Sequence, residues 1–232
     1  MREVTAHAQI TFLEVASEYI GSPADDQLEA GARRLSGNFA KRVIDLIGAT
    51  LGLLLLSPFL LLIALIISLE TRGWPIFTQE RTGLRGRTFV IYKFRSMRVC
   101  DRRGDVVVQA LRDDVRVTFF GRILRRTSID ELPQLLNVVR GEMSLIGPRP
   151  HAVPHDIHYA ALVPGYNSRF LAKPGLTGLA QVSGFRGRTP QPGDMALRIE
   201  KDIEYIRRWS FWLDLEILFR TPLVLTFHPM AF

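Results

Sequence analysis

Leu46-Ile47-Gly48-Ala49-Thr50-Leu51-Gly52-Leu53-Leu54-Leu55-Leu56-Ser57-Pro58-Phe59-Leu60-Leu61-Leu62-Ile63-Ala64-Leu65-Ile66-Ile67-Ser68-Leu69 is the one membrane-length apolar run of the chain. Its 24 residues carry no charge, and only Thr50, Ser57 and Ser68 are polar. About 20 such residues cross a bilayer as a helix. Pro58 sits at the centre, where it removes a backbone donor and clashes with the preceding turn. In hydrocarbon the carbonyl freed by that proline needs a partner, and a neighbouring serine hydroxyl supplies one. A kink is therefore expected between Leu54 and Pro58.

The flanks decide what the kink is for. Arg33, Arg34, Lys41 and Arg42 precede the run, and Arg72, Arg81, Arg85 and Arg87 follow it. Lys and Arg beside membrane segments favour the cytoplasmic side. A straight span would push one basic cluster across the membrane. A helix bent at Ser57-Pro58 enters and leaves by the same face, so the sequence predicts a re-entrant helix, with a kinked single span as the alternative.

The 232 residues suffice for one domain of about 150 residues beside this element. A net charge of +7 in a chain that is 47% hydrophobic suits anionic membrane lipids and phosphorylated ligands. Nucleic acid is not read as a partner, because neither zinc-ligand spacing nor an RNA-binding aromatic signature is present. Cys100, the single cysteine, excludes an intramolecular disulfide and a cysteine metal cluster. The apolar run starts about 45 residues in without a small-residue cleavage site, unlike a signal peptide.

Three regions follow from these signals. Residues 1–38 read as a disordered N-terminal extension with a short amphipathic piece at 10–20. Residues 39–71 are the membrane helix, and 72–232 the folded domain. Strands are expected at Ile76–Gln79 and Thr88–Tyr92, joined by a turn containing Gly83 and Gly86. Residues 101–118 read as a polar loop, and helices are expected at 119–126 and 131–140. A Gly/Pro-rich stretch covers 147–187. Ile199, Ile203 and Ile206 place another helix over Met195–Trp209. Phe211–Phe227 is apolar but carries Asp214, Glu216 and Arg220, too many charges for a comfortable span. It lies either in the headgroup layer or against the core. Trp74 reads as an interfacial anchor. The expected fold class is α+β and mostly helical: a re-entrant, kinked membrane helix, a small β-hairpin, and a cytosolic catalytic domain with interfacial amphipathic helices.

The chemistry-bearing candidates are Asp130 and Glu131, adjacent carboxylates after Arg125-Arg126. Ser128 and Glu131 have capping-box spacing, a purely structural role. Pro133 opposes that start, since it would fall in the second turn. A start at Asp130 places it in the first turn, with Asp130 as a possible cap. A helix start also attracts phosphate. Arg149 is held between Pro148 and Pro150. Carboxylates among arginines suit phosphoryl transfer, in which a carboxylate attacks phosphorus, another holds a divalent ion, and cations offset developing charge. A surface role beside anionic lipid is the alternative for each single arginine. His151, His155 and His158 have helical spacing, but Pro154 is expected to disturb that helix, so no metal site is read there.

An ordered series of motifs carries a resemblance. It comprises Lys41-Arg42-Val43-Ile44-Asp45, Ser57-Pro58, Phe77-Thr78-Gln79-Glu80-Arg81-Thr82-Gly83 and Tyr92-Lys93-Phe94-Arg95-Ser96-Met97. Asp130-Glu131-Leu132-Pro133-Gln134, Gly141-Glu142-Met143-Ser144-Leu145-Ile146-Gly147-Pro148-Arg149-Pro150 and Lys173-Pro174-Gly175-Leu176-Thr177-Gly178-Leu179-Ala180-Gln181-Val182-Ser183-Gly184 follow. Over residues 40–226 the chain resembles bacterial sugar transferases, the monotopic phosphoglycosyl transferases.

The resemblance implies transfer of hexose 1-phosphate from a UDP-sugar to undecaprenyl phosphate at the start of exopolysaccharide or other surface-glycan assembly. Galactose or glucose is the preferred sugar. It implies Asp130 as nucleophile, a covalent aspartyl phospho-sugar, UMP release and ping-pong kinetics, with Glu131 as the ligand of Mg²⁺. Arg125 and Arg149 match phosphate-facing positions, with Lys93 and Arg95 as further candidates and Arg186 toward the nucleotide. Ser57 and Pro58 match the break of a re-entrant helix. The implied location is the cytoplasmic face of the bacterial inner membrane, with a homodimer as one possible assembly. Arg186-Gly187-Arg188 departs from the family's usual Gly-Arg-Asn and bears on base or sugar contacts. A hydrolase using the same carboxylates and a non-catalytic membrane adaptor are the rival readings.

Overall fold

Small side chains begin the fold. In the computed structural model, which describes residues 23–98, 114–187 and 191–227, α1 (Pro23–Ser36) buries Leu28, Ala32 and Leu35. Gly31 lets it lie directly on the backbone of Ile206, whose carbonyl oxygen stands 2.2 Å from where a Cβ would be. The disorder expected over 1–38 therefore does not extend to 23–36. Two leucines and an alanine carry this helix, too few for the apolar periodicity to stand out. The piece at 10–20 lies outside the described residues.

Asn38 starts α2 (Phe39–Thr71) by accepting the Lys41 N–H on its side chain at 2.8 Å. This is the one described helix long and apolar enough to cross a membrane. It remains a single helix through Pro58, and the Ser57 hydroxyl donates to the Leu54 carbonyl at 2.8 Å, the acceptor that a proline at 58 leaves without its N–H. Both halves pack on the rest of the protein. Toward the start, Arg42 donates to the carbonyls of Val138 and Val139, Asp45 accepts the Leu145 N–H at 3.0 Å, and Ala49 is buried with Ile91, Leu135 and Met143. Toward the end, Ile63 and Ile67 pack with Phe94 and Leu124, and Glu70 accepts the Phe120 N–H. Leu54, Leu55, Leu61 and Leu65 between them are exposed.

The hairpin forms as expected but longer, β1 (Ile76–Thr82) pairing antiparallel with β2 (Thr88–Phe94) from Ile76↔Phe94 to Thr82↔Thr88. α3 (Phe119–Thr127) is capped by the Thr118 hydroxyl, which accepts the Gly121 N–H at 2.9 Å. Most of the expected 101–118 loop lies outside the described residues, as does Cys100. The helix expected at 131–140 divides into a 3₁₀ segment, Ile129–Gln134, and α4 (Leu135–Arg140), which ends at Gly141 with φ 83°.

β3 (Ser144–Ile146), α5 (Val153–Ala160), a 3₁₀ segment at Tyr166–Leu171, β4 (Gly175–Thr177) and α6 (Leu179–Val182) occupy the Gly/Pro-rich stretch. Pro154 sits in the first turn of α5, where proline is tolerated, so it does not disturb that helix. β3 and β4 run parallel, with the Gly147 N–H donating to the Thr177 carbonyl, and the chain then turns back so that the Gly175 N–H donates to the Pro148 carbonyl. A Cβ on Gly175 would stand 2.1 Å from the Gly147 nitrogen. Backbone cannot yield there as a flexible side chain would. Gly175→Ala is expected to cost at least about 1–3 kcal/mol, read as a lowered melting temperature of the purified protein in lipid nanodiscs.

α7 (Pro192–Arg208) buries Met195, Ile199 and Ile206 as its periodicity predicts, and α8 (Phe211–Phe227) buries Ile217 while exposing Trp212, Phe219 and Leu223. Of the two placements expected for α8, burial against the core holds for the Ile217 face. Asp214 joins it to α2, accepting from Lys41 at 2.7 Å, Tyr205 at 2.8 Å and the Trp209 indole at 3.1 Å.

Candidate active site

Ser128 ends α3 in the left-handed region, at φ 57°, and turns the chain so that Asp130 and Glu131 start a new 3₁₀ segment. The Ser128–Glu131 capping box does not form, because the Glu131 carboxylate turns to cations instead. Arg149 grips both of its oxygens, Nη1 on Oε2 at 3.0 Å and Nη2 on Oε1 at 2.5 Å, and Lys93 donates to Oε1 at 2.8 Å. A planar guanidinium matches a carboxylate in this bidentate manner. Asp130, half-buried, makes no side-chain hydrogen bond among the described residues, so it caps nothing. The six-residue 3₁₀ segment also makes the expected helix-start anion site a matter of side-chain charge.

Each partner arrives on a stiff support. Lys93 comes from β2, which packs on the 129–134 segment. Buried Asn137 fixes that spacing: its amide donates to the Val90 carbonyl at 2.7 Å, and its oxygen accepts the Tyr92 N–H at 3.2 Å. Arg149 stands between two prolines, with Gly147 and Pro148 hydrogen-bonded to Thr177 and Gly175.

The surroundings push the two carboxyls apart. Burial, and then the neighbouring Glu131 charge, raise Asp130 to about 6 against the opposing pull of Lys93, Arg125 and Arg149. Burial would raise Glu131 as well, but the charges and hydrogen bonds of Arg149 and Lys93 overcome it and hold Glu131 well below the usual carboxylate range. Glu131 in turn raises Arg149, whereas burial lowers Lys93 despite Glu131. Near pH 7 the pair is a clamped, ionised glutamate beside a free aspartate whose proton affinity is elevated. Such division between neighbouring acids is characteristic of reactive sites.

The other expected residues divide. Arg125 bears on the Asp130 charge and donates weakly to the Met97 sulfur at 3.5 Å. Arg186 reaches the same place and hydrogen-bonds the Ser128 hydroxyl, leaving Nη1 buried without a hydrogen-bond partner among the described residues. Burial, then Arg149, lowers its pKa. Arg188 lies outside the described residues. Arg95 is not brought to the carboxylates, and its guanidinium lies against Gly73 at the end of α2. Ser57 and Pro58 remain within α2.

Sequence spacing did not disclose a second buried layer. Arg81, from β1, is lowered to about 10 by burial and Arg149. Behind Arg149, Asp156 accepts from the Tyr166 hydroxyl at 2.7 Å, which also meets His151 and Arg169, and Arg169 pairs with Asp202 at 3.0 Å. His151 is thus an inward member of this network while His155 and His158 sit on α5. Buried charged residues at 156, 169 and 202 lie far apart in the chain, so no motif joins them.

Among the described residues no three His, Cys, Asp or Glu are grouped to hold a metal ion. Among the described residues Glu131 Oε2 accepts only one hydrogen bond, and Asp130 accepts none. That donor set fits a magnesium ion shared with substrate phosphates and water, since Mg²⁺ takes one or two carboxylates and keeps several other oxygens.

The chain is 54% identical over 194 residues to a UDP-glucose:undecaprenyl-phosphate glucose-1-phosphate transferase of Caulobacter vibrioides, covering 83% of this chain and 72% of that relative. A protein of the same description from Escherichia coli K12 is 49% identical over 199 residues, 86% of this chain and 42% of the relative. A UDP-galactose-lipid carrier transferase of Erwinia amylovora is 43% identical over 200 residues, 80% and 40% respectively. The chain therefore spans under half the length of the latter two. The bacterial sugar transferase family matches over residues 36–228, which takes in the membrane helix, the carboxylate pair and the arginines around it. By that match and those identities, the chain belongs to the bacterial sugar transferase family.

Proposed function

We propose that this protein transfers a hexose 1-phosphate, with glucose preferred and galactose next, from a UDP-sugar to undecaprenyl phosphate. The observation that carries the reading is the division of labour in the pair: Glu131 is clamped by Arg149 and Lys93, while Asp130, beside Arg125 and Arg186, accepts no hydrogen bond among the described residues. Relatives described as glucose-1-phosphate transferases support glucose, and the Erwinia relative supports galactose.

In the first half-reaction a carboxylate oxygen of Asp130 attacks the β-phosphorus of the donor. The bond from that phosphorus to the bridging oxygen breaks, and UMP leaves with the electron pair. In the second, a phosphate oxygen of undecaprenyl phosphate attacks the same phosphorus and the Asp130 carboxylate departs, giving the diphosphate-linked sugar. Kinetics are ping-pong. Arg125, Arg149 and Arg186 orient the diphosphate and offset charge developing on it. A magnesium ion held by Glu131 and the substrate would supply further neutralisation there.

The membrane helix is re-entrant in this reading. Its two halves attach to one body, through Arg42 and Asp45 at the start and Ile63, Ile67 and Glu70 at the end, which supports entry and exit on one face. The site then lies at the cytoplasmic leaflet of the inner membrane, where a soluble nucleotide sugar and a lipid phosphate both reach it. Basic flanks add about 1 kcal/mol per Lys or Arg near anionic lipid.

The test is UMP release across a panel of UDP-sugars, with and without undecaprenyl phosphate. Burst release without acceptor and turnover only with it is the expected result. Release driven by water alone favours a diphosphate hydrolase. A second expectation concerns pH. Because the ionised form of Asp130 attacks and its carboxyl is raised to about 6, donor kcat/KM falls below that pH, approaching tenfold per unit, and levels above it. A profile flat down to pH 4.5 contradicts the assignment.

A further inference from the structure

Arg149 has a demanding position, for its side chain must address Glu131 from a backbone segment without secondary structure of its own. Hydrogen bonds from the Gly147 N–H to the Thr177 carbonyl and from the Gly175 N–H to the Pro148 carbonyl fix the segment up to Pro148. Beyond that point its carbonyl needs another hold, and the partner is Arg169, twenty positions along the chain. Arg169 is 2% exposed, and its Nη2 donates to the Arg149 carbonyl oxygen. The same guanidinium pairs with Asp202 of α7 at 3.0 Å, donates to the Tyr166 hydroxyl at 3.1 Å and meets His151. Asp202 is itself 1% exposed. We infer that Arg169, anchored by Asp202, is a positioning residue for the sugar-phosphate transfer: it acts through the Arg149 carbonyl to aim the Arg149 fork at Glu131 and the donor phosphates.

Three features distinguish this role from ordinary core filling. The donor atom that touches Arg149 meets its main chain, so it governs where the segment sits. One planar fork serves the Arg149 carbonyl, the Asp202 carboxylate and the Tyr166 hydroxyl together, which a lysine ammonium on a flexible stem cannot reproduce. The contact also joins three separate elements, the 166–171 segment, α7 and the Pro148–Pro150 turn, at the rear of the reactive pair. Arg169 itself touches neither Asp130 nor Glu131 by any hydrogen bond or ion pair.

The inference rests on the transferase reading, and the experiment separates the two. Arg169→Lys in the full chain, in lipid nanodiscs, is expected to lower UMP release about 10²-fold, the scale of an ångström-size misplacement. Amide exchange in the peptide spanning 147–152 is expected to rise about tenfold or more, while peptides spanning 76–82 and 199–206 keep their protection. Unchanged exchange at 147–152, a rise spread over all three peptides, or undiminished UMP release overturns it. Asp202→Asn keeps the buried guanidinium and weakens only its anchor; the same two measurements decide the matter on that variant if Arg169→Lys does not fold. A wild type that releases no UMP overturns the transferase reading, and the exchange result then still decides whether Arg169 seats Arg149.

Discussion

Asp130→Asn is expected to abolish sugar-phosphate transfer, with a loss on the order of 10⁴- to 10⁶-fold, the scale seen when a covalent nucleophile is removed. The amide has the shape of the carboxyl but lacks a charged oxygen to attack phosphorus, so both half-reactions stop and no burst of UMP appears. The fold should not suffer. Asp130 is half-buried and accepts no hydrogen bond among the described residues, so nothing is left unpaired. Linkage points to a small gain instead. The folded-state carboxyl is raised to about 6 from an ordinary 3.8, so its favourable contribution exists only at acid pH and is lost as pH rises through about 6. At pH 7.5 the wild type therefore carries an ionised group that its surroundings disfavour, and the neutral amide removes that burden. The paired measurement is UMP release and the melting temperature at pH 7.5. Residual transfer above about one part in a hundred, with the variant intact at residue 130, contradicts the nucleophile role.

How much of this was legible beforehand depends on the distance over which each signal acts. The membrane helix was readable because length and apolarity are local, and the Ser57 hydroxyl bonds the carbonyl that a proline at 58 exposes. The hairpin and α7 were readable from period-2 and period-3.6 patterns. By contrast, α1 depends on Gly31 fitting the backbone at Ile206, and β3 and β4 are three residues each, so pattern cannot find them. In the site, Lys93, Glu131 and Arg149, singled out by residue type, meet in one cluster beside Asp130. Arg95, which follows Lys93 by two, turns to Gly73 where β2 has ended. Residue type missed Asn137, Arg169 and Asp202, whose roles arise only when remote segments meet. A buried arginine such as Arg169, on a short 3₁₀ segment, looks like any surface charge until its partners are known.

Glu131→Gln tests the other half of the pair, and its signature has two parts that move in different directions. Glu131 is the common acceptor for Arg149 and Lys93. Replacing it by an uncharged amide leaves two largely buried cations without their anion, a change that costs up to about 3–5 kcal/mol, so the melting temperature should fall. Transfer should fall by about 10²- to 10³-fold, because Arg149 loses the carboxylate that aims it and the pair loses a phosphate-side ligand. The pH profile should move the opposite way from that loss. Glu131 is the neighbouring charge that raises Asp130, while Lys93 and Arg149 both lower it. Removing the like charge and releasing those cations toward Asp130 makes its ionised form more favourable. The acid limb of donor kcat/KM should therefore shift below about 6, and the variant should retain a larger share of its pH 7.5 rate at pH 5 than the wild type does. That inversion, a weaker enzyme that is less sensitive to acid, is not produced by generalised loss of structure. An acid limb that stays in place or moves upward would mean that Asp130 and Glu131 do not share one electrostatic site, and the roles assigned to both carboxylates would have to be withdrawn.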